Sequence, residues 1–273
     1  MDLIIFDLDG TLLDAHSKIS HYTQETLVML SERNVAYTVA TGRTLHSAQK
    51  IIEGHGFHLP HIYSNGVLIW DPKSQMLSME NVLAVDEVQS VLKVITERGI
   101  TPFLSSVDHN HSHYIYYPKL RHYAEERLLG EFRSRPNLQL LPLEQLPEKA
   151  DIISISALGA AINIDAIRDY IRHDPNLIAY SGPTVSEQNL KWIDIHHCNA
   201  TKGGAIAYLK VQLGVKNLLC FGDSDNDLSM FSLADESYAP ENAKERIKAA
   251  ATATIGHHNQ DGIARYLRER FEL

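Results

Sequence analysis

Two aspartates, Asp7 and Asp9, follow directly on residues 3–6, the first apolar segment of the chain. This segment is continuously apolar, which is typical of a strand buried within a parallel sheet. Gly10 and Thr11 favour a turn, so both carboxylates belong to the carboxyl end of that strand, where open α/β sheets bind their ligands. Two positions apart on extended backbone, they project from the same face. The pattern predicts a divalent-cation site or a pair of acid and base groups.

Three more polar clusters follow predicted strands or begin predicted helices: Thr41-Gly42, Lys202-Gly203, and the acidic residues 223–227. If the strands lie side by side in one sheet, all of these loops meet at one edge. Carboxylates that crowd together without a partner resist ionisation, and a hard cation such as Mg²⁺ relieves their repulsion. Lys202, together with free N–H groups at the helix N-terminus after Thr41, adds donors for an anion of phosphate size.

This set of groups suits phosphoryl transfer, which requires a nucleophile, charge neutralisation and a proton shuttle. Asp7 is able to attack phosphorus and form an aspartyl-phosphate. Asp9 is able to protonate the leaving oxygen and later to take a proton from water.

Alternating strands and helices in the first and last thirds of the chain position these clusters. Hydrophobic patterning predicts strands over residues 35–40 and 218–221, and a helix over residues 204–213 with Thr201 as its N-cap and Gly214 at its end. Repeated strand–helix units predict an α/β fold, in which a Rossmann-like parallel sheet core has helices on both faces.

The middle of the chain has a different pattern. Residues 82–188 mix helical periodicity with short strands and are punctuated by prolines. We interpret them as an inserted α+β domain, which leaves residues 1–81 and 189–273 for the catalytic core. A strand over residues 192–195 is then the first element of the returning core.

Composition narrows the function classes. The 273 residues have a formal net charge of −9, which argues against a nucleic-acid or membrane surface as partner. The two cysteines, Cys198 and Cys220, flank apolar strands and are expected to be buried free thiols, as in a reducing compartment. The N-terminus enters a strand at once, so we expect no signal peptide, no membrane span and a cytoplasmic location.

Three histidines alternate within the predicted insertion: His109, His111 and His113. A strand would place all three on one face, where a zinc site with Asp108 is conceivable. The favoured interpretation is that they face solvent or substrate ahead of a tyrosine-rich strand.

The sequence resembles the haloacid dehalogenase superfamily of phosphohydrolases. Within it, the chain is similar to the Cof-type, sugar-phosphatase-like branch, whose C2-type cap is inserted between the second and third motifs. The matching segments, in order, are residues 7–12, 40–43, 64–66, 202–203, 222–227, 240–243 and 261–264.

The resemblance implies a catalytic and metal-binding set. Asp7 would be the nucleophile and a metal ligand, and Asp9 would be the acid/base and bind the metal through its backbone carbonyl. Lys202 would neutralise charge on the phosphate and on Asp7. Asp223 would bind the metal directly or through water, and Asp227 would support the metal or orient Lys202.

The resemblance also implies a phosphate-binding and substrate-binding set. Thr41 and Gly42 would hold the phosphoryl group, and Asn226 would contact it. Arg43 and Asn65 would face the substrate.

The expected activity is that of a Mg²⁺-dependent phosphatase, a phosphoric monoester hydrolase acting on a small phosphorylated metabolite such as a sugar phosphate, a phosphorylated cofactor or a nucleotide. The insertion would act as a lid that excludes water and selects the leaving group. A phosphomutase or phosphotransferase with the same aspartyl-phosphate is an alternative. A regulatory module that binds a phosphometabolite is another, although a pure binder has no need of Asp9. The sequence leaves the oligomeric state open.

Overall fold

The computed structural model describes residues 1–79, 81–108, 112–133, 138–184 and 189–273, and the side chains of residues 46 and 131 are outside the description. The chain forms two compact units, one of Met1–Met79 with Thr201–Leu273 and the other of Glu80–Ala200. Within the described ranges, no helix combines the length and the apolar character needed to cross a bilayer.

The strands and helices are numbered along the chain. The strands are β1 (Asp2–Phe6), β2 (Ala36–Val39), β3 (His61–Tyr63), β4 (Leu68–Asp71), β5 (Met76–Met79), β6 (Pro102–Val107), β7 (His113–Tyr117), β8 (Leu138–Pro142), β9 (Ile152–Ala160), β10 (Leu177–Pro183), β11 (Leu190–His197), β12 (Asn217–Phe221), β13 (Glu236–Pro240) and β14 (Ala253–Ile255). The helices are α1 (His21–Glu32), α2 (Leu45–Ile52), α3 (Val85–Thr96), α4 (Tyr123–Arg133), α5 (Ala161–Ile171), α6 (Lys202–Leu213), α7 (Leu228–Phe231), α8 (Glu245–Ala250) and α9 (Gly262–Arg270).

The first unit is built on a five-stranded sheet in the order β14-β13-β12-β1-β2, with every pair parallel. Leu3 and Ile5 of β1 share a core cluster with Ile206 of α6. On the opposite face, the ring of Phe221 in β12 lies 6.0 Å from that of Tyr266 in α9. Helices therefore cover both faces of a parallel sheet, and the predicted fold class is confirmed.

Local signals set the limits of α6 as predicted. The hydroxyl of Thr201 accepts a hydrogen bond from the amide of Gly204 at 3.0 Å, which satisfies one of the free amides of the first turn. Gly214 ends the helix in the left-handed region, at φ 62°. Lys202 is consequently fixed as the first helical residue.

The second unit contains a six-stranded sheet in the order β10-β11-β9-β6-β7-β8, which is antiparallel except for the β7–β8 pair. Its main core cluster combines residues of α3 and α5 with one face of the sheet, including Val91, Ile155 and Ile167. A smaller cluster joins Phe103 to Leu129 of α4. The mixture of helices and antiparallel strands agrees with an α+β unit.

The second boundary of this unit differs from the sequence expectation. Residues 192–195 do form part of a strand, but β11 pairs with β9 and β10 and belongs to Glu80–Ala200. The core therefore resumes at Thr201 and not at residue 189, because an isolated strand pattern does not specify its pairing partner.

The histidines and cysteines are placed as follows. His113 is buried in β7, and its Nε2 is hydrogen-bonded to Ser105 Oγ at 2.5 Å. His109 and His111 lie outside the described residues. Both cysteines are free thiols; Cys220 is buried, and Cys198 is partly exposed.

A buried histidine packs at the start of β3. His61 Nδ1 lies 2.9 Å from the Tyr63 hydroxyl, and His61 Nε2 lies 3.3 Å from the carbonyl oxygen of Phe57. Since a carbonyl only accepts, Nε2 bears the proton and Nδ1 accepts from Tyr63. Burial lowers the pKa of His61 to about 4.

We predict that this histidine makes the protein less stable in mild acid. The unfolded chain binds the proton below its pKa of 6.5, whereas the folded chain does so only near 4, so this contribution to stability is present above pH 6.5 and is lost as the pH falls towards 4. Between pH 7 and 5 the wild type should lose about 2 kcal/mol more of its unfolding free energy than His61→Gln. Urea titrations at both pH values measure this. The exposed His16→Gln is the control, and equal pH dependence of wild type and His61→Gln would contradict the prediction.

Candidate active site

A buried lysine joins two aspartates at the carboxyl edge of the parallel sheet. Asp7 follows β1, and its amide donates to the carbonyl oxygen of Phe221 at the end of β12, 2.9 Å away. Lys202 Nζ donates to Asp7 Oδ1 at 2.5 Å and to Asp227 Oδ1 at 2.6 Å. The side chains of Lys202 and Asp227 are fully buried, and that of Asp7 is 8% exposed. One ammonium thus serves two carboxylates in a site nearly closed to water.

Burial and the charge of the partner have opposite effects on the pKa values of Asp7 and Lys202. Burial raises the pKa of Asp7, while Lys202 opposes the rise and Asp227 and Asp223 add to it. Burial alone would lower the pKa of Lys202, but attraction to Asp227 and Asp7 outweighs it and raises that pKa. The lysine therefore stays charged, and the cluster has more carboxylates than cations.

The acidic residues after β12 are shaped by Asp227. Its Oδ2 accepts from the backbone amides of Asp223 and Ser224, both at 2.9 Å, while its Oδ1 binds Lys202. Both carboxylate oxygens of Asp227 are therefore engaged. Burial and the nearby Asp227 charge raise the pKa of Asp223. Asp227 fixes the loop, and the charge of Lys202 only partly offsets the rise in the pKa of Asp223.

Three carboxylates at this edge could hold a metal ion. Asp7, Asp223 and Asp227 each present an oxygen within 4.8 Å of the others. Oxygen ligands with net negative charge suit a hard divalent cation, and such a cation would offset the repulsion that raises the pKa values of Asp7 and Asp223. The donor set therefore fits a divalent metal.

The backbone turns sharply at Gly10, directly after Asp9. Its φ is +74°, and a Cβ at this position would lie 2.5 Å from Asp223 Oδ2. Only glycine is free of both the conformational penalty and the clash. The turn thus allows the segment after Asp7 to pass directly against Asp223.

Asp9 does not join the carboxylate cluster. Its side chain is 55% exposed and is held by Arg43, whose Nε lies 2.6 Å from Oδ2 and whose Nη2 lies 2.5 Å from Oδ1. Arg43 Nη2 also donates to the Ser17 hydroxyl at 3.0 Å. This two-pronged contact raises the pKa of Arg43. As an ionised acceptor, Asp9 must leave the guanidinium before it donates a proton elsewhere.

The predicted phosphate-binding residues form a second group. Thr41 is buried, its carbonyl accepts from the Asn65 amide at 3.0 Å, and its hydroxyl accepts from the Arg43 amide at 3.1 Å. Asn226 Nδ2 donates to Asn65 Oδ1 at 2.8 Å. A Cβ on Gly42 would lie 3.0 Å from the same Asn65 oxygen. Loops distant in sequence therefore converge here.

Asn226 retains unused hydrogen-bonding capacity. Its Oδ1 is buried and has no hydrogen-bond partner among the described residues. Buried polar atoms are normally paired, so this atom indicates a missing group at the site.

Sequence reasoning assigned no role to two residues that touch this site. Asn242 Nδ2 donates to the Gly10 carbonyl at 2.8 Å. Ser229 Oγ accepts from the Gly203 amide at 3.1 Å, next to Lys202. A signal existed for Asn242, which lies two residues beyond the end of β13, at the same edge of the sheet. No local signal marks Ser229.

Comparisons with known proteins bear on the family and the fold. The model of the haloacid dehalogenase-like hydrolase family matches residues 4–267. A 5-amino-6-(5-phospho-D-ribitylamino)uracil phosphatase of Bacillus subtilis is 26% identical, over 99% of this chain and 98% of its own. A pyridoxal phosphate phosphatase of Escherichia coli is 24% identical, over 97% of each chain. The solved structure of a haloacid dehalogenase-like hydrolase from B. subtilis has a TM-score of 0.77 at 23% identity, covering 98% of this chain and 99% of that one.

We predict that Lys202→Met lowers the free energy of unfolding by about 3–5 kcal/mol, because it leaves two buried carboxylates without their cation. Urea titration at neutral pH measures the loss. Lys210→Met on the same helix is the matched control: its Nζ lies 3.8 Å from Asp235 in a partly exposed pair, so it should cost less than about 1 kcal/mol. Equal losses in the two variants would contradict the prediction.

Proposed function

The chain belongs to the haloacid dehalogenase-like hydrolase family and is a phosphoric monoester hydrolase, and on this premise we propose that it hydrolyses a small phosphorylated metabolite with Mg²⁺ through an aspartyl-phosphate on Asp7. The observation that most supports this is the buried contact of Lys202 with both Asp7 and Asp227. A lysine so placed holds the nucleophile by one oxygen and neutralises charge where a phosphoryl group would bind.

In the first step, the Oδ2 of Asp7 attacks phosphorus while Lys202 holds Oδ1. The new bond joins this oxygen to phosphorus, and the bond from phosphorus to the leaving oxygen breaks. Asp9 in its protonated form gives its proton to the leaving oxygen, so an alcohol departs.

In the second step, water attacks the phosphorus of the aspartyl-phosphate. Asp9, now ionised, takes a proton from that water, and the bond between phosphorus and Asp7 breaks. Phosphate leaves, Asp7 is a carboxylate again, and Asp9 is ready for another cycle.

Asp7 and Asp223 would hold Mg²⁺ with the backbone carbonyl of Asp9, and Asp227 would support the ion while orienting Lys202. The ion would supply the charge that lets anionic Asp7 approach an anionic phosphate. The raised pKa values of Asp7 and Asp223 support this proposal.

The second group of residues would bind the phosphoryl oxygens. Thr41, Gly42 and Asn226 are proposed to surround them, with Asn65 and Arg43 beside the substrate. The unpartnered oxygen of Asn226 only accepts, so it supports a hydrogen-bond donor beside the phosphoryl group, such as a substrate hydroxyl or a water.

The proposed substrates are small phosphorylated metabolites: sugar phosphates, phosphorylated cofactors or nucleotides. Two relatives that match nearly the whole chain take their names from a phosphorylated ribitylaminouracil and from pyridoxal phosphate. The unit Glu80–Ala200, inserted between the second and third motifs, is proposed as the cap domain. A panel of these substrate classes with Mg²⁺ tests the proposal. Released inorganic phosphate supports hydrolysis, and an isomerised product without phosphate release supports the mutase instead.

We predict that Asp7→Asn abolishes turnover of p-nitrophenyl phosphate and leaves the fold intact, since the amide replaces only the nucleophilic oxyanion. Phosphate release and circular dichroism check the two parts. Asp225→Asn is the control: this partly exposed acid pairs with Lys244 and Arg246 and is not one of the three converging carboxylates, so its turnover should match the wild type. Mg²⁺-dependent turnover by Asp7→Asn would contradict the proposed mechanism.

We further predict that Mg²⁺ stabilises the folded protein through Asp223. A ligand that binds only the folded state adds about 2.7 kcal/mol when present at 100 times its dissociation constant. Thermal unfolding with and without Mg²⁺ should show this gain in the wild type and in Asp225→Asn, but little of it in Asp223→Asn. An undiminished gain in Asp223→Asn would exclude that carboxylate as a ligand.

A further inference from the structure

Two side chains from the carboxyl-terminal part of the chain hold the backbone that follows Asp9. Asn242 Nδ2 donates to the Gly10 carbonyl at 2.8 Å. His258 Nδ1 lies 2.8 Å from the Leu13 carbonyl, and since that oxygen only accepts, the proton is on Nδ1. The two contacts fall near the middle and at the end of the turn that begins at Leu8.

The two side chains also support each other. Asn242 Oδ1 accepts from the backbone amide of His258 at 3.2 Å. The amide group of Asn242 therefore has its oxygen fixed by one partner and its nitrogen by another, which sets its orientation. We call Asn242 and His258 the loop brace.

The turn is irregular along its length. The amides of Leu12 and Leu13 return to the carbonyls of Asp7 and Leu8, at 3.3 and 2.9 Å. Asp9 and Gly10 between them are non-helical, with ψ 126° at Asp9 and φ 74° at Gly10. Glycine is able to adopt many backbone conformations, so contacts with residues outside the turn help to fix the one observed here.

The loop brace is itself anchored to α1. Asp261, three residues after His258, accepts hydrogen bonds from the hydroxyls of Ser20 and Thr23. Asp261 adopts φ 56°, uncommon for a residue other than glycine. This segment is thus held in place independently of the active site.

We propose that Asn242 and His258 are positioning residues for Asp9, which fix the turn after it so that its carboxylate stands at a constant place relative to Asp7. The inference rests on the proposed function for the role of Asp9. Arg43 holds the Asp9 side chain, and Asn242 holds the carbonyl of the next residue, Gly10. Small displacements of a proton donor are costly, because catalysis depends on aligned reacting atoms.

The test compares Asn242→Ala and His258→Ala with Gln260→Ala, an exposed residue on the same loop. For the two brace variants we expect kcat for p-nitrophenyl phosphate to fall about 10- to 100-fold with KM changed less than about 2-fold. Amide hydrogen exchange of residues 8–13 should become faster in both, whereas Gln260→Ala should match the wild type in every measurement. If Asn242→Ala fails to fold, His258→Ala supplies the same comparison.

A second comparison tests whether the fall in kcat depends on the carboxylate of Asp9. Asn242→Ala should slow the wild type strongly, but should slow the Asp9→Asn enzyme less than about 2-fold. Equal slowing in both backgrounds, unchanged exchange of residues 8–13, or faster exchange with unchanged kcat would each overturn the proposal. Failure of the proposed function is distinguishable, because it would appear as activity in Asp7→Asn while the exchange measurement still reports on the loop brace.

Discussion

The buried ammonium of Lys202 between two carboxylates is the interaction on which the rest of the site depends. Desolvation penalises each of these charges. Their mutual contacts at 2.5 and 2.6 Å, together with the two backbone amides that donate to Asp227, offset that penalty. The arrangement requires three parts of the fold to meet at one place. These are the end of β1 with Asp7, the loop after β12 with Asp227, and the first turn of α6 with Lys202. Parallel pairing of β1 with β12 meets the first two requirements. The Thr201 cap meets the third, because it fixes where α6 begins.

Much of the core fold and of the candidate site could be predicted from the sequence, because the signals for them are local. A continuously apolar segment that ends in Asp7 and Asp9 identifies a buried strand and its functional end, whatever follows. Thr201 and Gly214 mark the limits of α6 through capping chemistry that depends only on neighbouring residues. The parallel sheet then follows from the alternation of strands and helices, and the family match spans both parts of the core.

The rest could not be predicted because it depends on partners distant in the chain. The strand around Ile193 was recognised, yet its pairing with β9 and β10 is a tertiary choice that its own residues do not encode. Arg43 and Asp9 were both assigned to the site, but their mutual contact requires the geometry of two loops. Asn242 and His258 act on backbone carbonyls, and a carbonyl has no residue type by which a sequence could identify it as a partner.

Asp7 and Asp9 carry the same functional group but lie in different environments. Asp7 is buried beside an ammonium and two further carboxylates, so its charge depends on the balance of the whole cluster. Asp9 is half exposed, and a single guanidinium holds its carboxylate. The nucleophile role proposed for Asp7 benefits from the first environment, because the surrounding structure fixes its position. The proton-shuttle role proposed for Asp9 benefits from an exposed carboxylate, because a shuttle must exchange protons twice in each cycle. The turn that contains Asp9 and Gly10 continues to Leu12, so the backbone that follows Asp9 is held by side chains from a distant part of the chain.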